Sequence, residues 1–559
     1  MDIIRLQQDI VLAIHHHYPE SDFSSISVEY AREPTYGDIA FPCFPLAPLW
    51  KKSPQSIAEE IVDTVQFPEE VKQAQAVNGY VNLRLNPHYI LSQSIQDTPP
   101  RDEKIALEFS SPNTNKPLHI GHMRNIALGE SLTHIFRACG YQVVKTEVVN
   151  DRGIAMAKMM YIYDRFTKDE LSVDDKLDHF SGKLYSQFES YVEEHPEAEN
   201  AAQEILQKWE AGDPYWYDIW WKLRNWTIKG QQQTYERLQT SFDERVFESE
   251  MYQDGVEDVR RGLKNGVFYC HPEKNYIYAS FEQEHLPEKI LLRSNGTSLY
   301  ITQDIALLNY RLYGDSACRG AQSLIYITDI AQNLQFQQLF AIMRQLGVEE
   351  TSFHHLGYGR ISKPEGKMSS RKGNVVLVDD LIDDLETLIR DTYFTNQSVL
   401  ETEQHRRIQV IARAAYLWYM LFPSMKKDII FDPQQSITLH GKTGPYILYT
   451  YARLKSILRK SQYESQYRQD YTYQEEHQMM VQIARASEVR DRACREMDPS
   501  IIAQYTYDLA EMINSYYHKI PILGQDKAVE QGRLYVIDQA QQTLKYMCQL
   551  LHMEVLEEM

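Results

Sequence analysis

Glu108-Phe109-Ser110-Ser111-Pro112-Asn113-Thr114-Asn115-Lys116-Pro117-Leu118-His119-Ile120-Gly121-His122 is the stretch on which the reading of the chain turns. Ahead of it, Lys104 to Phe109 mixes charged and apolar residues in the manner of a short strand. Pro112 and Pro117 forbid regular pairing and make the chain turn. Behind it, Met123, Ile126, Ala127, Leu132, Ile135 and Phe136 recur near helical spacing until Gly140, a C-terminal stop. Val143 to Val149 then reads as a second strand, ending in Asn150-Asp151. Strand, turn, helix and strand make one βαβ unit, and such units place ligands at the carboxyl ends of their strands. His119 and His122 lie three apart and share a face of the first helical turn, while Gly121 lets a flat ring approach the backbone. Two imidazoles beside free backbone N–H groups suit a polyanion that is building charge, such as a triphosphate under attack. On the two histidines alone, an ordinary helix surface is the better reading.

A second segment, Ser362-Lys363-Pro364-Glu365-Gly366-Lys367-Met368-Ser369-Ser370-Arg371-Lys372-Gly373, sets the cations Lys367, Arg371 and Lys372 beside the hydroxyls of Ser369 and Ser370 on a loop loosened by glycines. A loop that closes late grips a departing pyrophosphate more tightly in the transition state than in the ground state.

The string around His-Ile-Gly-His resembles the signature of class I aminoacyl-tRNA synthetases, and its longer form is similar to that of the arginyl-tRNA synthetases. The second segment resembles the Lys-Met-Ser-Lys-Ser loop of the same class, with Ser370 where the second lysine would stand. Arg371, Lys372 or Lys116 is left to supply that charge. The resemblance implies an α/β fold: a Rossmann-type parallel-sheet catalytic core, an N-terminal α+β domain and an all-helical C-terminal anticodon-binding domain. It also implies ligation of L-arginine to tRNA(Arg) through an arginyl-adenylate, with transfer to the terminal ribose 2′-OH. ATP with Mg2+ is the expected substrate complex, and activation is expected to require tRNA. His119, Gly121, His122, Met368, Ser369 and Ser370 are the expected ATP contacts, with His119, His122, Lys367, Lys116, Arg371 and Lys372 catalytic.

Composition agrees with a soluble protein of several domains: 559 residues, 43% hydrophobic, 24% charged. The six cysteines are scattered, which gives no zinc-site spacing and fits a reducing compartment; no protein-bound zinc and a cytoplasmic location are expected. No stretch reaches the roughly 18 apolar residues of a membrane span. Asp2, Arg5 and Asp9 interrupt the N-terminal apolar positions, so Ile3, Leu6, Ile10 and Ile14 mark an amphipathic helix rather than a signal peptide. His15-His16-His17 reads as its polar end. A net charge of −20 requires any RNA contact to be locally basic and salt-sensitive.

Residues 1–100 read as a module closed by Asn78-Gly79-Tyr80-Val81-Asn82, and the paired prolines of 97–104 as a linker. The resemblance places Asn78, Tyr80 and Asn82 near a D-loop base, although the chain has one residue fewer there. Residues 101–395 form the expected catalytic domain, with an inserted helical subdomain over about 155–290 and the loop at 362–376. Trp216, Trp220, Trp221 and Trp226 read as packing within that insert. Residues 396–559 read as helical, and Gly441 to Arg453 resembles the start of the family's anticodon-binding domain, with Leu448 in place of a usual glutamine. Tyr449, Arg453 and the terminal Met559 are the expected anticodon contacts, and a monomer is expected.

Arginine's planar, permanently charged guanidinium needs carboxylates and a neutral hydrogen-bonding wall. Tyr300 and Asp304, four apart, match the family's guanidinium pair, with Glu108 and Glu248 as further acids and Asn113 and Gln332 as amides for the α-groups. A cysteinyl-tRNA synthetase would want a thiolate-selecting zinc site. A small nucleotidyltransferase has no use for the long helical C-terminal part. A silent tRNA-binding paralogue would be expected to lose the histidines or the loop lysines.

Overall fold

Ile105, Ala106 and Leu107 form a continuous apolar run, as a strand covered on both faces requires. In the computed structural model this strand, Lys104–Glu108, is the middle of a five-stranded parallel sheet. Ser323–Asp329 and then Ser352–Tyr358 lie on one side, Gln142–Val149 and then Glu244–Phe247 on the other. The chain winds outward in both directions from the central strand, so the switch point lies beside it, at the carboxyl end where ligands bind in such sheets. The structure describes all residues except 1–2, 20–22, 24–25, 32, 34, 93–94, 96–97, 168–175, 363–375, 396–399 and 467–473.

The signature helix Ile120–Ala138 is buried along most of its length. It sits close under the sheet because position 129 has no side chain: a Cβ on Gly129 would lie 2.3 Å from the Phe109 ring. Gly140 ends it at φ +87°, a conformation glycine adopts without strain.

Four helices, Ile154–Ile162, Leu177–Glu194, Glu197–Glu210 and Pro214–Leu238, follow the first βαβ unit. Trp220 is buried among them, Trp216 and Trp226 pack against the same apolar cluster, and Trp221 stays about half exposed. The helical insert is shorter than the sequence suggested. It stops at Leu238, Glu244–Phe247 rejoins the parallel sheet, and Tyr269–Cys270, Ile277–Phe281 and Leu286–Leu292 pair as an antiparallel sheet. The alternation of Ile277, Ala279 and Phe281 is a period-two signal: Ala279 and Phe281 face inward and are fully buried.

The N-terminal residues form a four-stranded antiparallel sheet with the helices Ile3–His17 and Pro54–Thr64. Its tightest hairpin turns at Asn78 and Gly79, both at positive φ. Leu6, Ile10 and Ile14 are buried, and His15, His16 and His17 are exposed. The sheet docks on the C-terminal helices through a buried pair, His477 Nε2 lying 2.8 and 2.9 Å from the Asp38 oxygens.

The C-terminal part is helical, with one correction. Ile429–Ile430 is a short strand that pairs in parallel with Ile361–Ser362, so the catalytic and helical parts are stitched together rather than merely adjacent. Gly444 has its own reason: a Cβ there would lie 2.0 Å from the Ala414 carbonyl, where Gly444–Lys460 crosses Glu401–Leu421. Among the described residues no helix is long and apolar enough to cross a membrane.

Arg124, fully buried on the signature helix, closes that seam by donating to the carbonyls of Gly359, Ser424, Met425 and Lys427. Arg124→Met takes this donor from all four carbonyls, and only those of Ser424 and Met425 keep a backbone N–H, from Lys427 and Gly359, among the described residues. We expect a loss of about 3 kcal/mol or more, read as a lower urea midpoint; a midpoint equal to the parent's would contradict the seam.

Candidate active site

The turn after the central strand is held in an uncommon conformation. Ser110 and Ser111 both have positive φ, at 68° and 44°, unusual for residues with a side chain. Their surroundings fix them: Asn125 Oδ1 accepts from the Ser110 N–H, and Ser111 Oγ accepts from the Val148 N–H at 3.0 Å. Ser110 Oγ meets Tyr235 Oη at 2.7 Å, and Tyr235 donates to Glu147 at 2.7 Å. Gln231 donates to the carbonyls of Asn113 and Lys116, each at 3.0 Å. The turn is therefore preorganised, and its strain sits where a ligand would bind.

The two imidazoles cap the signature helix. His119 is the N-cap, its Nδ1 accepting from the Gly121 N–H at 3.2 Å. His122 Nδ1 accepts from the His119 N–H at 3.0 Å, and the rings stack with centroids 3.9 Å apart. Both Nδ1 atoms being acceptors, the hydrogen-bond network assigns the proton of each neutral ring to Nε2. Burial, then the neighbouring Lys116 charge, holds the His119 imidazole down to about 4. The same burial, with His119 and Lys116 beside it, puts His122 well below its ordinary range. Each ring is thus a neutral donor at physiological pH, fixed at the positive end of a helix.

Acidic groups gather at the carboxyl ends of the central strands. Asp304 accepts from Gln335 Nε2 at 2.9 Å, and burial, followed among the raising causes by Glu108, pushes its carboxyl up to about 7. Burial likewise raises Glu248 to about 7, with Asp151 and Asp304 adding to the rise and Arg152 opposing it. Among the described residues neither carboxyl is held in an ion pair, although the Arg152 charge acts on Glu248. Asp151, by contrast, is saturated by Arg224 Nε at 2.6 Å and by Ser249.

Glu108 departs from its expected role. Its carboxylate is engaged by the fully buried Arg311 and by the Ser111 hydroxyl, so it serves the scaffold rather than standing open. Tyr300 begins the helix Tyr300–Tyr313 one turn before Asp304 and is 78% exposed. Asn113 and Gln332 are exposed, the latter as the N-cap of Asn333–Gln345. Lys116 is half-buried, which lowers its pKa. Lys367, Met368, Ser369, Ser370, Arg371 and Lys372 lie outside the described residues. The backbone just after them is described: Ile120 N–H donates to the Val376 carbonyl and Val378 N–H to the Leu118 carbonyl, each at 3.0 Å.

Far from these groups, Tyr449, Arg453 and Met559 line one cavity of about 700 Å³ with Arg407, Arg459 and Tyr517. The Arg453 guanidinium lies 4.6 Å from the Tyr449 ring and 4.8 Å from that of Tyr517. In the N-terminal sheet, Tyr80 lies edge-on to the half-exposed Phe44, while Asn82 is buried and donates back to Val77 and Tyr80.

Sequence reasoning missed Arg311, Gln335 and Arg124. Arg311 stands seven residues after Asp304, two helical turns on, so a charge on the apolar face of Tyr300–Tyr313 was the available signal.

The parallel core, capped helix and acidic group are those of a class I aminoacyl-tRNA synthetase: residues 88–432 match the model "tRNA synthetases class I (R), catalytic domain". Residues 447–559 match the DALR anticodon binding domain and residues 5–85 the arginyl tRNA synthetase N terminal domain. The chain belongs to the arginyl-tRNA synthetase family. It is 35% identical to an arginine–tRNA ligase of Treponema pallidum over 96% of this chain and 95% of that one. Against an arginine–tRNA ligase of Porphyromonas gingivalis it is 32% identical over 96% of both. The solved arginyl-tRNA synthetase of Thermus thermophilus superposes with a TM-score of 0.83 at 25% identity, covering 99% of each chain.

In 15N spectra, His119 and His122 should both show the Nε2–H tautomer and take up no proton between about pH 8 and about pH 5.5. The unfolded chain binds more protons in the window from the ordinary 6.5 down to about 4, so His119 lowers stability as pH falls through it. A ring titrating near 6.5 would contradict this arrangement.

Proposed function

We propose that the chain activates L-arginine with ATP–Mg2+ and esterifies it to tRNA(Arg), with Asp304 and Glu248 selecting the guanidinium and His119 and His122 attending the phosphates. The observation that carries this is a pair of carboxyls, Glu248 buried and Asp304 half-buried, each raised to about 7 and in no ion pair among the described residues, on the same edge of the sheet as an electropositive helix start. A guanidinium neutralises both with several directed bonds; a lysine ammonium, a point charge, leaves part of the slot unpaired. Tyr300, one helical turn from Asp304, supplies a wall to close over the side chain, and Asn113 and Gln332 the amides for the α-groups.

In the first step an oxygen of the arginine α-carboxylate forms a bond to the α-phosphorus of ATP, and the bond to pyrophosphate breaks. The substrates bring nucleophile and leaving group, so the chain contributes positioning and charge stabilisation. The Nε2–H groups of His119 and His122 donate to phosphate oxygens as negative charge builds. Lys116 and the loop cations Lys367, Arg371 and Lys372 attend the pyrophosphate. Pairing of Val376–Val378 with Leu118–Ile120 brings that loop's end to the histidines, which supports this role. In the second step the terminal ribose 2′-OH attacks the acyl carbon and AMP departs. Tyr449, Arg453 and Met559 receive an unpaired anticodon base by stacking, and Asn78 and Tyr80 form the outer contact, with the buried Asn82 bracing their turn. The chain acts as a monomer, and no step requires a zinc ion.

Three outcomes test this reading. Asp304→Ala should raise the KM for arginine about 100-fold, from about 3 kcal/mol of lost bonding, and leave the KM for ATP within about twofold; equal loss for both substrates would refute the assignment. Because the guanidinium binds the ionised carboxyls, arginine binding releases protons near neutrality, and KM for arginine should fall as pH rises from about 6 to about 8. Arg453→Ala should cut kcat/KM for tRNA about 10-fold with the arginine KM unchanged, since one stacked base contributes about 1–3 kcal/mol.

A further inference from the structure

The last residues of the chain lie as an acidic strap over cations of the anticodon-binding part. Lys455 Nζ is 3.3 Å from Glu557, and Arg459 Nη1 is 2.6 Å from Glu558. Arg407 Nη2 is 3.4 Å from Glu558 as well, although Glu403 also holds Arg407, at 2.8 Å. Lys455 and Arg459 stand four apart on Gly444–Lys460 and share a face of that helix. Glu557, Glu558 and Met559 also form one wall of the cavity of about 700 Å³ that Tyr449, Arg453 and Arg459 line. The strap thus touches both the cations and the base pocket.

These pairs are open to solvent: the Glu557 side chain is 67% exposed and that of Glu558 50%. Exposed pairs hold their partners weakly, so a phosphate can displace the carboxylates. A strand that binds by its backbone must do so, because it lays its phosphates on the cations. The displaced anions are not salt ions that diffuse away. They are tethered, stay beside the phosphates and repel them. A base entering the cavity needs no displacement, since the strap is part of the wall against which it stacks. Backbone-only binding is therefore opposed where base-directed binding is not, which is how a repulsive element sharpens discrimination.

We propose that Glu557 and Glu558 are specificity-determining residues for tRNA, occupying Lys455 and Arg459 in place of RNA phosphates and weakening strands that bring backbone charge without the right unpaired base. This rests on the reading above in which Tyr449, Arg453 and Met559 receive an anticodon base.

The probes are a tRNA(Arg) transcript and an oligouridylate strand, each titrated onto the full chain over a series of salt concentrations. The double variant Glu557→Gln/Glu558→Gln should bind oligouridylate about 5-fold or more tighter at low salt. Its log K should also fall more steeply with log salt, by about 1 to 1.5 for two freed cations meeting a single strand. tRNA(Arg) should gain less, so the ratio of the two affinities falls. Glu349→Gln/Glu350→Gln removes the same charge from an exposed turn before Ser352–Tyr358 and should leave the slope unchanged. An unchanged oligouridylate affinity and slope, an equal gain for tRNA(Arg), or an equal effect from the Glu349/Glu350 control would overturn the proposal. Arg453→Ala separates it from the reading beneath it. If Arg453→Ala binds tRNA(Arg) as tightly as the parent, the base pocket falls and the proposal with it. If Arg453→Ala weakens tRNA(Arg) while the strap variant changes nothing, the pocket stands and the proposal alone is overturned.

Discussion

Two hydrogen bonds between Leu118–Ile120 and Val376–Val378 are the constraint on which the architecture of the site depends. One partner leads directly into the signature helix, whose first turn is capped by His119 and His122. The other follows the signature loop, which returns from Ile361–Ser362 and the strand Ile429–Ile430. Arg124 then reaches from the helix to four carbonyls on either side of that return. A segment distant in sequence is thereby anchored at the helix start. The arrangement is paid for by burying a guanidinium, tolerable because its terminal N–H groups all find backbone carbonyls, those of Gly359, Ser424, Met425 and Lys427.

The electrostatics of the site follow one logic. The neutral imidazoles hold the backbone through Nδ1 and keep Nε2–H as a donor, which in the function proposed above lets them meet a polyphosphate without adding buried charges. The acidic slot is the reverse, with more carboxylate than the protein neutralises. Arg311 answers Glu108, Arg224 answers Asp151 and Arg245 answers Glu147, but among the described residues Asp304 and Glu248 have no such partner. In the function proposed above, a substrate that carries its own fork of N–H donors completes the set. Selectivity then lies in what is left unpaired when a different side chain enters.

How much of this was legible in the sequence depended on locality. The signature helix and its stop at Gly140 were readable because their determinants are contiguous. Asp304 and Glu248 were nameable one at a time, yet nothing local showed that Glu108 would be taken by Arg311, 203 residues away. Ile277–Phe281 hid inside a segment read as helical because its alternation is short and flanked by helix-favouring acids. Ile429–Ile430 was missed since two residues carry no period at all. Arg413 looked like one cation among many on a helix face; only the packing shows that it points inward.

The most direct test is a crystal structure with a non-hydrolysable arginyl-adenylate analogue. The guanidinium should lie within hydrogen-bonding distance of both Asp304 and Glu248, with the phosphate within reach of Nε2 of His119 or His122. A guanidinium bound elsewhere, with those two carboxyls facing only water, would contradict the account.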